Sequence, residues 1–146
     1  MRRFESLKDG IILPRRASMY SAGYDFFMPE EIIIKPHSQV LIKTFIRAAM
    51  NDDEFLAVYL RSSLGIKKGL RLVNQTGIID KDYYNNVDNG GNIMVALENT
   101  TNKDVVIKKG EAFVQGIFMK YFLTDDDDTK GVRNGGIGSS NHDKDK

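Results

Sequence analysis

At 146 residues the chain fits one domain, large enough to hold a core without disulfides. It has no cysteine and two histidines, which excludes a disulfide framework, a thiolate metal site and a multi-histidine metal site. Its 21 basic and 20 acidic residues give a net charge of +1, without the basic excess of a general nucleic-acid binder. An anionic ligand is therefore expected to be small and locally held, with neither nucleic acid nor membrane as partner. The N-terminal Met1-Arg2-Arg3-Phe4-Glu5 is charged rather than apolar, so no signal peptide is expected. No run approaches the roughly 20 apolar residues that cross a bilayer. The expectation is a soluble protein of the cytoplasm, or of a host-cell interior if the gene is viral.

Along the chain, many short β-rich runs alternate with Gly, Pro, Asn and Asp, and helical periodicity is nearly absent. Strands are predicted at 10–13, 31–34, 39–47, 54–60, 69–74, 78–80, 93–97, 104–107 and 112–123. That spacing reads as an all-β sandwich or barrel. The last run is long for one strand and should bend or bulge near Gly116. One short helix is predicted after residue 60, with Ser62 or Ser63 at its start, Lys67 and Lys68 in its last turn and Gly69 as its stop. From Asp125 onward four consecutive carboxylates lead into a Gly-rich, polar tail that cannot build a core. The tail reads as a flexible arm. The acidic run reads as a solvated spacer or a cation trap.

Four Gly-punctuated polar clusters and one isolated amide could carry chemistry. In Ala22-Gly23-Tyr24-Asp25, Asp25 is a lone carboxylate among aromatic residues: a turn aspartate, or an inward carboxylate that needs a partner. In Arg61-Ser62-Ser63, a guanidinium and two hydroxyls at a helix start could seat a phosphate, or be an ordinary cap beside a surface arginine. Residues 69–84 read as a hairpin turning around Asn74-Gln75-Thr76-Gly77. Asn74 offers a donor and an acceptor, as base recognition requires. Asp80, after Ile78 and Ile79, sits at a fixed strand end, where a carboxylate could hold a water or simply terminate the strand. Tyr83 follows. Arg133 to Ser140 combines glycine amides, a guanidinium and hydroxyls, the parts of a triphosphate clasp or of a plain flexible tail. Gln115 interrupts the most apolar run, as a satisfied core amide or a ligand contact.

In order, these clusters resemble the five motifs of the trimeric dUTPase family. The likeness runs from Leu13-Pro14 to Ser140. Ala22-Gly23-Tyr24-Asp25 resembles the first motif and Arg61-Ser62-Ser63 the second. Asn74 with Gly77-Ile78-Ile79-Asp80-Lys81-Asp82-Tyr83 resembles the third and is the most specific. Gly110 through Gln115 resembles the fourth, and Arg133 through Gly135-Gly136-Ile137-Gly138-Ser139-Ser140 the fifth.

The resemblance implies a jelly-roll-type (β-clip) barrel over 1–124. An acidic linker and arm over 125–146 would close a neighbouring subunit's site in a homotrimer. It implies hydrolysis of dUTP to dUMP and pyrophosphate with Mg²⁺, limiting uracil incorporation into DNA and supplying dUMP. Asp80 would be the base that activates the attacking water, and Tyr83 the ring that leaves no room for a 2′-hydroxyl. Asn74, Gly77 and Ile79 would belong to the uracil-reading edge. Arg61, Ser62, Ser63 and Gln115 would contact the phosphate chain, and Asp25 would support the Mg²⁺ hydration shell through water. Arg133, Ile137, Gly138, Ser139 and Ser140 would form the closing arm. The family usually places Phe where Ile137 stands, Arg where Ala112 stands and Thr where Ser140 stands. These departures imply an altered lid over an intact base. A dCTP deaminase of the same superfamily and a non-catalytic partner-binding module are the competing readings. The first would want a glutamate in place of Asp80.

Overall fold

A computed structural model describes residues 1–138. Ser139 and Ser140 lie outside the described residues. The strands are β1 (Arg3–Ser6), β2 (Arg15–Arg16), β3 (Tyr24–Phe27), β4 (Ile32–Ile34), β5 (Gln39–Lys43), β6 (Ile46–Ala49), β7 (Glu54–Leu60), β8 (Leu70–Leu72), β9 (Gly77–Asp80), β10 (Met94–Asn99), β11 (Val105–Ile107) and β12 (Ala112–Lys120). Helical turns follow β7 at Ser63–Lys67 and β9 at Lys81–Tyr83. Every strand pairing is antiparallel. The largest sheet has the order β2-β3-β12-β7-β9; β5-β10-β8, β1-β6 and β11-β4 form the others. Among the described residues no helix is long and apolar enough to cross a membrane.

Burial explains the arrangement. In β7, Leu56, Ala57 and Val58 are all buried, and β12 and β9 pair with the strand on either side. β10 instead alternates, sending Val95, Leu97 and Asn99 inward, the period-2 pattern of a half-buried strand. Phe26, Phe113, Leu56 and Ile107 join these in one apolar core. Asn99 is fully buried yet satisfied. Its amide donates to the Ile34 and Lys103 carbonyls at 2.9 and 2.7 Å, and its oxygen accepts from the Thr101 amide at 2.9 Å.

Several expected elements are corrected. Residues 10–13 form no strand; the chain's early β-structure is β1, whose Arg3, Phe4, Glu5 and Ser6 pair with β6. The expected strand 39–47 is two. Phe45 has a left-handed φ of 58°, and the Thr44 hydroxyl donates to the Ile93 carbonyl at 2.7 Å, so β5 joins β10 while β6 joins β1. The run 69–84 is not a hairpin. Asn74 to Gly77 do turn, with Gln75 at φ 64°, but β8 pairs with β10 and β9 pairs with β7, so the turn carries the chain from one sheet to another. The irregularity in β12 falls between Ala112 and Val114 rather than at Gly116. The helical turn does stop at Gly69, which takes a positive φ of 67°.

Glu5 ties β1 to the segment after β9. Its carboxylate accepts from Arg47 Nε and from the Tyr84 hydroxyl, each at 2.8 Å, and pairs with Arg3. The Tyr84 hydroxyl, then Arg3 and Arg47, hold the Glu5 carboxyl below its ordinary value of 4.5, against the opposing effect of burial. A carboxyl lowered by folding adds stability above its unfolded pKa and loses it as pH falls through the folded value. The Glu5→Gln protein should therefore melt below wild type at neutral pH, and the two melting curves should converge as pH drops below 4.5. A gap independent of pH would contradict this linkage.

Candidate active site

The first group of site residues gathers where β3, β12 and β7 run side by side. Gln115 lies opposite Asp25 on one flank and opposite Tyr59 on the other, so the three share a face. Arg61 leaves the end of β7, its amide still bonded to the Phe113 carbonyl at 3.0 Å, and its Nη1 reaches Asp25 Oδ2 at 3.3 Å. Asp25 is thus an inward, paired carboxylate rather than a bare turn residue. Gly23 lets the Gln115 amide lie close beside it: a Cβ there would come within 2.2 Å of Gln115 Oε1 and displace that side chain. Ser62 and Ser63 are exposed at the start of the helical turn, and Ser62 makes no side-chain capping bond. The amides of Leu64 and Gly65 donate to the Arg61 carbonyl. An anion at this place would meet hydroxyls and the guanidinium, not those two amides.

The second group sits at β9. Gly77 lies opposite Val58 and Asp80 opposite Phe55, which fixes Asp80 at a strand end with its side chain half-exposed. Ile79 packs onto the core, while Asn74 stands exposed on the turn before the strand. The helical turn Lys81–Tyr83 then buries the Tyr83 ring. Burial pushes the Tyr83 hydroxyl above its ordinary pKa, with the Asn89 amide and the Arg133 charge pulling the other way. Arg133 bonds Asp80 Oδ2 at 3.1 Å and Asp82 Oδ1 at 2.9 Å, and its guanidinium lies 5.7 Å from the Tyr83 ring centre. The arm is anchored further by the Val87 amide on the Asn134 carbonyl, 3.0 Å, and by the Gly136 amide on Asp88 Oδ2, 2.7 Å. Ile137 and Gly138 are exposed beyond these anchors. In this conformation the arm lies on its own chain's Asp80.

The two groups do not meet within one chain. Asp80 is level with Phe55 at one end of β7, and Arg61 follows the other end. At about 3.3 Å per residue, that separation is about 20 Å. Asp25, Arg61 and Gln115 therefore stand far from Asp80, Tyr83 and Arg133. No group of three or more His, Asp or Glu side chains among the described residues is placed to hold a metal ion.

One set of residues at this site was not anticipated. Asn86, Asn89 and Asn92 enclose Tyr83 from the loop that follows it. The available signal was composition: the stretch Asn85-Asn86-Val87-Asp88-Asn89-Gly90-Gly91-Asn92 is dense in amides directly after the Asp80 to Tyr83 motif.

A family model described as dUTPase matches residues 9–141. The chain belongs to the dUTPase family. It is 46% identical over 133 residues to a protein of Lactococcus lactis subsp. lactis named deoxyuridine 5′-triphosphate nucleotidohydrolase, covering 90% of this chain and 89% of that one. A protein of the same name from Hydrogenobaculum is 30% identical over 142 residues, covering 93% and 94%. The crystal structure of the dUTPase from Streptococcus mutans superposes with a TM-score of 0.78 at 41% identity, covering 84% of this chain and 98% of that one. A Staphylococcus bacteriophage 80alpha dUTPase shares the fold at 19% identity, with a TM-score of 0.75 over 90% and 97%. The dUTPase assignment fits the antiparallel β-architecture and the short helical turn.

Proposed function

We propose that the chain hydrolyses dUTP to dUMP and pyrophosphate, with Asp80 as general base for the water that attacks the α-phosphate. The observation that carries this reading is Asp80 itself: a half-exposed carboxylate fixed at the end of β9, three residues before a buried tyrosine, in a dUTPase-family chain. A base held on a strand keeps its water oriented as the substrate arrives. Asn74 and the β9 edge would read uracil, and Tyr83 would exclude the 2′-hydroxyl. Arg61, Ser62, Ser63 and Gln115 would hold the phosphates by charge-assisted and neutral hydrogen bonds.

The 20 Å gap within one chain supports a site shared between copies, and so a homotrimer. Large apolar side chains left exposed on the single chain, including Phe122, Leu123 and Ile78, support the same reading, since surface of this kind marks interfaces. Closure of the sheets into a jelly-roll barrel belongs to it as well. In the working site Arg133 would leave Asp80 and, with Ile137, Gly138, Ser139 and Ser140, close over the nucleotide of a neighbouring subunit.

Mg²⁺ fits this donor set as an ion that arrives on the triphosphate with its water shell, not as a resident ion in a protein cage. Asp25, one oxygen of which Arg61 engages, would meet those waters indirectly. When bound, the ion would neutralise phosphate charge. Asp80 would accept the proton of the attacking water, and Arg61 would steady the equatorial oxygens. The reaction would take place in the cytoplasm or a host-cell interior.

Pyrophosphate release from dUTP, UTP, dTTP and dCTP, with ammonia followed in parallel, tests the assignment. Turnover of dUTP alone is expected. Ammonia from dCTP would overturn it in favour of a deaminase. Binding of dUTP without turnover would favour a non-catalytic module. Light scattering should return three times the 16.5 kDa chain mass; a monomer would break the shared site.

A further inference from the structure

The loop after β9 holds Tyr83 at two points. The Tyr83 hydroxyl donates to the Asn92 carbonyl at 2.7 Å and accepts from Asn89 Nδ2 at 2.9 Å. The Tyr83 carbonyl accepts from Asn86 Nδ2 at 2.8 Å. The orientation of the Asn89 amide is set by its other end. Asn89 Oδ1 accepts from the Gly91 backbone amide at 3.0 Å and from Asn86 Nδ2 at 2.8 Å, so a flip would set donor against donor. Asn86 Oδ1 in turn accepts from the amides of Asp88 and Asn89, at 3.0 and 3.1 Å, which closes the loop on itself. Nothing in this network touches Asp80.

The far side of the same amide faces the arm. A Cβ on Gly136 would come within 3.0 Å of Asn89 Nδ2 and 3.6 Å of Asn86 Oδ1. The arm is pinned there by Asp88 and Val87, the two residues between those asparagines. Asn89 therefore lies between the Tyr83 hydroxyl and the docked arm, with both ends of its amide committed.

We propose that Asn89 is a positioning residue for sugar selection: through the Tyr83 hydroxyl it holds the ring at the depth that rejects a 2′-hydroxyl. The proposal rests on the dUTP-hydrolase reading and deepens it. A ring that excludes a hydroxyl does so by steric fit, and a displacement of a few tenths of an ångström relaxes such a fit. An unsupported hydroxyl end would allow that displacement. Because Asn89 reaches no reacting atom, its loss should act on selection and affinity more than on the chemical step.

The test compares kcat and KM for dUTP and UTP in wild type, Asn89→Ala, Asn89→Asp, Tyr83→Phe and the Asn89→Asp/Tyr83→Phe double variant. Asn89→Asp keeps an oxygen for the Gly91 amide while removing the donor to Tyr83, so the loop can still close. The dUTP-to-UTP ratio of kcat/KM should fall about five- to tenfold in each single variant, the size of one buried hydrogen bond. The change should lie mainly in KM, and the double variant should be no worse than Tyr83→Phe. If Asn89→Ala does not fold, Asn89→Asp and Tyr83→Phe carry the test alone. An unchanged ratio in Asn89→Asp or Tyr83→Phe overturns the proposal. So does a double variant whose losses multiply, because Asn89 would then act independently of the hydroxyl. Wild type that hydrolyses dUTP but shows either result removes the role of Asn89 only. Wild type that does not hydrolyse dUTP removes the functional reading and this proposal with it.

Discussion

The Asp80→Asn protein should bind dUTP and release almost no pyrophosphate. Asparagine preserves the size of the side chain and its place opposite Phe55 but cannot accept the water's proton. General-base catalysis is worth about 10²–10⁴-fold, and the loss should appear in kcat with KM little changed. Asp80 also pairs with Arg133, so the substitution weakens one of that guanidinium's two carboxylate contacts, while Asp82 retains the other. Asp82→Asn is the control for that side effect. It weakens the arm's resting contact equally and leaves the base in place, so kcat should hold. Turnover unchanged in Asp80→Asn would refute the assigned base, and equal losses in both variants would reduce Asp80 to an arm anchor.

A loss of comparable size is expected at the other end of β7. Arg61→Ala removes the guanidinium from the phosphate seat and leaves Asp25, largely buried, without its partner. Removal of one preorganised charge-stabilising donor lowers kcat on the order of 10²–10³-fold. Arg61→Lys should recover only part of this, because an ammonium cannot present the planar fork that spans Asp25 and a phosphate oxygen. Circular dichroism should stay that of a β-protein in both, since the apolar residues around Arg61 remain. Wild-type kcat/KM in Arg61→Ala would separate this residue from the substrate.

The sequence made much of this arrangement readable where the governing contacts are local. The strand Glu54–Leu60 and the stop at Gly69 follow from apolar runs and from a residue that tolerates positive φ. Asp80 at a strand end was legible for the same reason. Pairing partners were not legible, because they depend on residues distant in the chain. The run containing Thr44 and Phe45 looks continuous until the Ile93 carbonyl and Asn92 Oδ1 supply the acceptors, for the Thr44 hydroxyl and the Phe45 amide, that bend it. β8 and β9 look like a hairpin until β10 and β7 compete for their edges. β1 was hidden by charge: Arg3 and Glu5 are salt-bridged residues on a short edge strand, and only Phe4 contributes to the aromatic group with Tyr24, Phe26 and Phe118.

The site was legible as a set of residue types and not as a geometry. Five clusters in order pointed to one chemistry, yet nothing in their order separates Arg61 from Asp80 by the length of a strand. That separation is what supports the proposal of a site shared between chains. The asparagines of the loop after Tyr83 do not read as site residues in the sequence, because amides near a turn usually serve the turn. Here Asn86 does so, while the Asn89 side-chain amide and the Asn92 main-chain carbonyl meet the hydroxyl of the ring.

Co-assembly of two inactive chains tests the shared site most directly. Asp80→Asn chains and Arg61→Ala chains, each nearly inactive alone, would be refolded together at equal amounts and assayed for pyrophosphate release from dUTP. If Asp80 and Arg61 of one working site come from different copies in a cyclic trimer, random mixing restores about a quarter of wild-type activity per site. Activity that stays at the level of the separate variants, in a mixture shown to contain mixed trimers, would contradict the account.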